Sequence, residues 1–159
     1  EEIACLQWED VDFRWLTMTI RDKVEGERVI PLTPYVAHLL TGLPRRNQWV
    51  FSSMSAADGR LVVPRIAHNK ALAVAGLPSL SIHGLRRSFG TLAEWVEMPT
   101  GVVAQIQGHK PSAIAEKHYR RRPVDLLRMW HTKLEAWILE CADIEFIPVE
   151  VTERLRVVK

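Results

Sequence analysis

The distribution of apolar and polar positions divides the chain into short, distinct elements. Trp15–Arg21 (WLTMTIR) and Glu27–Leu32 (ERVIPL) are rich in β-branched residues and flank DKVEG, whose Gly26 suits a turn. This pattern predicts a β-hairpin. Thr33 followed by Pro34 predicts a capped helix that runs through YVAHLL to Gly42. Trp49–Ser53 (WVFSS) reads as a short third strand. A second helix opens at Pro64 and closes at Gly76. Leu85, Phe89, Leu92 and Trp95 then recur at helical spacing. TGVVAQIQ predicts a short helix ending at Gly108, SAIAEKHY another, and PVDLLRMWHTKLEAWILECA the longest. The opening EEIACLQWEDVDF reads as the end of a helix with neither cap nor methionine, as in a piece of a longer chain, and the tail from Ile144 alternates like a strand. Helix therefore predominates, with a small sheet and no internal repeat.

Composition narrows the class without deciding the function. The 159 residues suit one domain, and 47% apolar with 25% charged residues is ordinary for a globular protein. The net charge is only +2. The segment from His83 to Arg122 nevertheless holds seven Lys/Arg against three Glu, so positive charge is concentrated there. A clustered basic face is a footprint of anion or nucleic-acid binding. Cys5 and Cys141 follow no metal-ligand spacing and build no disulfide framework, which fits a reducing interior. No apolar run approaches the roughly 18 residues of a membrane span.

The chemistry lies in spacings. His83 and Arg86 (HGLR) are three apart, so on a helix they share a face. Arg86 offers a planar fork of donors with permanent charge, suited to phosphate. Gly108 permits a tight bend before His109. Tyr119 sits between His118 and Arg120, Arg121 and Arg122. Each residue also has an ordinary reading: a packing tyrosine, a capping histidine, a solvated basic turn. His38, His68 and His131 look structural or exposed, and Trp8, Trp95, Trp130 and Trp137 look like core.

Together these motifs resemble the C-terminal motifs of the tyrosine recombinases, the phage-integrase family. His83-x-x-Arg86, Gly108–His109 and Tyr119 occur in the family's order. RDKVEGERVIPLT resembles its β-hairpin, and counting back from Pro31 puts Lys23 at the position of a catalytic lysine. The opening segment resembles the stretch after the family's first catalytic arginine, which would lie about two residues before Glu1. The gap from His109 to Tyr119 is one residue longer than in many members.

The resemblance implies an α+β fold, mainly α-helical with a small antiparallel β-sheet at one edge. It implies a catalytic domain over residues 1–143, and a tail over 144–159 packed on the domain's own sheet or on a neighbouring subunit. It implies site-specific DNA recombination through a covalent 3′-phosphotyrosine, with Tyr119 as nucleophile. Arg86, His83 and His109 would hold the phosphate, and Lys23 would protonate the leaving oxygen. Arg87, Lys110, Arg120, Arg121 and Arg122 are candidates for DNA contact. The partner would be double-stranded DNA at attachment sites, with a tetramer assembled on it and a monomer or weak oligomer without it. No metal or cofactor is implied, and the location would be cytoplasmic. With the first arginine absent, the 159 residues alone would be a poor catalyst. Two other readings fit parts of the pattern: a type IB topoisomerase, which uses a similar residue set, and a non-catalytic DNA-binding fragment.

Overall fold

The computed structural model describes residues 3–22, 26–109 and 121–148. Three strands, β1 (Val11–Asp12), β2 (Thr17–Asp22) and β3 (Gly26–Pro31), form an antiparallel sheet in that order. The described residues hold five α-helices: α1 (Pro34–Thr41), α2 (Arg65–Val74), α3 (Ile82–Trp95), α4 (Thr100–Gln107) and α5 (Val124–Cys141). The hairpin is the expected one, with Met18 opposite Ile30 and Ile20 opposite Arg28. Side chains alternate between faces along a strand. Met18, Ile20, Arg28 and Ile30 therefore share the face that covers the core, and Ile20 and Ile30 are buried in it.

Several local expectations are corrected. The opening segment forms two 3-10 turns, Ile3–Cys5 and Trp8–Asp10, instead of a helix end. The third strand of the sheet is Val11–Asp12; Trp49–Ser53 makes only isolated bridges, Gln7 to Trp49 and Ser52 to Arg60. The connection between β1 and β2 is turned by Asp12, whose Oδ1 accepts from the backbone N–H groups of Arg14 and Trp15 at 2.9 Å each. Trp95 is 72% exposed and stacks on Trp137 with ring centroids 6.2 Å apart, so it is not core. The proposed helix over 112–119 lies outside the described residues.

Two apolar clusters make the interior. One joins the sheet to α1 through Leu6, Val11, Ile20, Ile30, Leu32, Leu40 and Val50. The other joins α3, α4 and α5 through Ala93, Val102, Ile106, Leu127 and Leu134. Helix α5 connects them because its sequence has two different faces. Leu127 and Leu134, seven apart, are fully buried in the second cluster. Arg128, His131 and Glu135, at three- and four-residue spacing, share another face.

That polar face is tied to the first cluster. Arg128 donates from Nη1 to the Leu16 carbonyl at 2.6 Å and from Nη2 to the Trp15 carbonyl at 2.9 Å. Glu135 accepts from the backbone N–H groups of Tyr35 (2.9 Å) and Val36 (3.2 Å). Thr33 occupies the cap position of α1 but makes no side-chain cap bond. A carboxylate 100 residues away thus satisfies the orphan donors at that helix start and complements its dipole. Beyond α5, Phe146 packs edge-on against Tyr35 of α1 at 5.1 Å, so the first residues of the tail return over their own domain.

His131 lies between the two halves, edge-on to Phe89 at 5.5 Å, and its buried Nδ1 has no hydrogen-bond partner. Burial lowers its pKa from 6.5 to about 4, and a backbone hydrogen bond with Pro31 opposes the shift. The folded pKa is below the unfolded one, so the unfolded chain binds the proton more readily. The contribution to stability is complete above about pH 6.5 and is lost as pH falls towards about 4. The expected loss is about 3 kcal/mol across that window. Urea titrations at stepped pH should show the decline in the parent and a shallower one in His131→Gln. Equal slopes in the two proteins would contradict this account.

Candidate active site

The α3 start is built by Ser81, whose Oγ accepts from the Gly84 N–H at 2.9 Å. This places His83 in the first turn and Arg86 one turn later on the same face. Gly84 packs closely here: an added methyl would lie 2.7 Å from the tip of the Leu80 side chain, which would have to turn away. His83 is exposed and Arg86 is partly buried.

The end of α4 places the second histidine. Gly108 adopts φ 67° and ψ 36°, the left-handed conformation that closes a helix. The Gly108 N–H donates to the Gln105 carbonyl at 3.2 Å, and the His109 N–H donates to the Ala104 carbonyl at 2.8 Å. These two bonds form a Schellman motif, so the backbone of His109 is fixed by α4 itself. His109 is exposed.

His83, Arg86 and His109 line one groove of about 560 Å³ between α3 and α4. Arg87, Thr91 and Gln107 line it as well. Arg86 and Arg87, adjacent in sequence, both border this groove. Arg86 Nη2 donates to the Gln107 carbonyl, and Gln107 Nε2 donates to the Arg86 carbonyl at 2.7 Å.

A further cation approaches from the sheet. Arg28, two residues before Ile30 on the core-facing side of β3, lies against Gly108. A methyl group on Gly108 would fall 2.6 Å from that guanidinium. Gly108→Ala therefore meets the strain of the positive φ, and the tip of the flexible Arg28 side chain must also shift. The substitution is expected to destabilise the fold by about 1–2 kcal/mol, measurable by thermal or urea unfolding. Wild-type stability in the alanine variant would contradict this packing.

The basic run after Tyr119 is only partly open. Arg121 is exposed. Arg122 is held on α4: its N–H donates to Gln105 Oε1 at 3.1 Å, its carbonyl accepts from Gln105 Nε2 at 2.9 Å, and Nη1 donates to the Gly101 carbonyl at 3.1 Å. This arginine serves the packing of the chain against α4. Lys23, Lys110, Tyr119 and Arg120 lie outside the described residues. The described residues contain no cluster of His, Cys, Asp and Glu suited to a metal ion. Their helices include none long and apolar enough to cross a membrane.

Sequence reasoning missed Arg28 and Gln107. Arg28 had a signal, since strand alternation places it on the same face as Ile30. Gln107 had a weaker one, a polar residue just before the glycine that ends an otherwise apolar helix.

Comparison with known proteins gives consistent results. The family model "Phage integrase family" matches residues 1–124. The chain is 64% identical over 151 residues to "Prophage integrase IntF" of Escherichia coli (strain K12), covering 91% of this chain and 32% of that protein. The chain thus spans about a third of the length of this curated relative. Among solved structures, "Integrase from mycobacterium phage Brujita" superposes with a TM-score of 0.68 at 24% identity, over 84% of this chain and 45% of that one.

Proposed function

The chain belongs to the phage integrase family, and on that premise we propose that it carries the catalytic centre of a tyrosine recombinase that cuts and rejoins DNA at specific sites. The observation that carries this reading is the convergence of His83, Arg86 and His109 on one groove from the ends of two helices. A phosphodiester repels nucleophiles, and its transition state gathers charge on the nonbridging oxygens. The Arg86 fork is suited to that charge, with His83 and His109 as additional donors.

Tyr119 supplies the nucleophile. A phenol of ordinary pKa, about 10, is only roughly 0.1% ionised at pH 7 and is a weak nucleophile. Surrounding cations favour the phenolate, and His83 takes the proton. The Tyr119 oxygen forms a bond to phosphorus, and the bond to the 5′-oxygen breaks. Lys23 protonates that oxygen, leaving a free 5′-hydroxyl and a 3′-phosphotyrosine. Attack by a 5′-hydroxyl of another strand reverses the step and joins the strands, conserving the bond energy.

Double-stranded attachment-site DNA is the partner, with a tetramer assembled on it. Arg87, Lys110, Arg120 and Arg121 are the proposed backbone contacts. The test is a nicked suicide substrate incubated with a full-length recombinase carrying this sequence. A covalent adduct that survives denaturation and depends on the attachment site supports the reading. Efficient relaxation of any supercoiled plasmid without such a site would favour a topoisomerase, and absence of both activities would favour a binding module.

A further inference from the structure

Arg86 has a long, flexible stem, and a phosphate clamp is useful only if its fork is held in place. Gln107 provides a hold from the neighbouring helix. It is 9% exposed, one of few polar residues buried among those described. Its Nε2 donates to the Arg86 carbonyl at 2.7 Å, while Arg86 Nη2 donates to the Gln107 carbonyl. The two bonds run in opposite directions between the same two residues. A guanidinium has five N–H donors. One is directed at the main-chain carbonyl of Gln107, which fixes the orientation of the fork at the groove. The amide also ties α3, at Arg86, to the end of α4, from which His109 follows through the Schellman bonds.

We propose that Gln107 is a positioning residue for strand cleavage: its side-chain amide holds the Arg86 backbone to the end of α4, which keeps the Gln107 main-chain carbonyl in place for the Arg86 fork and sets the spacing between Arg86 and His109. The proposal rests on the recombinase reading above. Burial alone would favour an apolar residue here, since a buried amide is costly unless its hydrogen bonds are made. The amide donor is used on the carbonyl of the very residue whose side chain borders the groove. Misplacing a catalytic group by about 1 Å can cost on the order of 10²-fold in rate.

The test is the rate of adduct formation at saturating nicked DNA, in a full-length recombinase carrying this sequence. Gln107→Leu keeps the burial and removes the donor. Its cleavage rate should fall about 10–100-fold, with DNA affinity within about 3-fold of wild type. Gln107→Met, of equal unbranched length, carries the same comparison if the leucine variant does not fold. A double-mutant cycle separates positioning from general loosening. Added to Arg86→Lys, which has no fork to orient, the Gln107 substitution should cause a clearly smaller further loss, because the part of its effect that runs through the guanidinium is already gone. Wild-type rates in the Gln107 variants, or an equal loss in the Arg86→Lys background, would overturn the proposal. Wild-type protein that forms no adduct at all would instead overturn the recombinase reading.

Discussion

Tyr119→Phe is expected to eliminate the covalent adduct while leaving DNA binding nearly unchanged. Only a hydroxyl is removed, and the arginines that follow it in the sequence are unchanged. In the proposed reaction the hydroxyl oxygen bonds to phosphorus, and a phenyl ring has no substitute for it. Loss of a covalent nucleophile in other enzymes lowers rates by about 10⁶-fold, which here means no detectable product. A gel shift on attachment-site DNA measures binding, and denaturing electrophoresis of a nicked substrate measures the adduct. Normal binding without adduct is the expected pair of results. Adduct formed by the phenylalanine variant would assign the nucleophile to another residue.

The second large effect is at Arg86. Removing one preorganised donor to a developing negative charge costs about 10²–10³-fold, and a charged fork should cost at least as much. Arg86→Ala is therefore expected to slow cleavage at saturating DNA by at least about 10³-fold. Arg86→Lys should recover part of the loss, since it restores the charge but not the planar pair of donors. It also cannot reproduce the fork's bond to the Gln107 carbonyl, so recovery should be incomplete. Single-turnover rates for the three proteins check the order. Equal rates for lysine and arginine would mean that charge alone suffices.

Much of the arrangement was legible because local rules and tertiary structure agree. Pro34 at a first turn, Gly108 at a helix end and the β-branched hairpin act within a few residues, and each element forms where its residues predict. The three-residue spacing of His83 and Arg86 placed both on one helical face before any fold was known. The missed features depend on distant partners. Nothing near Thr33 indicates that α1 is capped by Glu135. Helical periodicity placed Trp95 on an apolar stripe, but the neighbouring helices leave it exposed against Trp137. Trp49–Ser53 has strand composition, yet it makes only isolated bridges and does not join the sheet. Arg122 looked like part of a basic patch, and only the position of Gln105 and Gly101 shows that it is held on α4. The Arg86–Gln107 pair is invisible for the same reason, since its two bonds join separate helices.

The central claim is that Tyr119 becomes covalently joined to DNA beside the His83, Arg86 and His109 groove. The most direct measurement is to trap the adduct on a nicked attachment site, digest protein and DNA, and sequence the modified peptide by mass spectrometry. The account predicts a 3′-phosphonucleotide on Tyr119. The same label on any other residue, or a denaturation-resistant adduct joined through a 5′-phosphate, would contradict it.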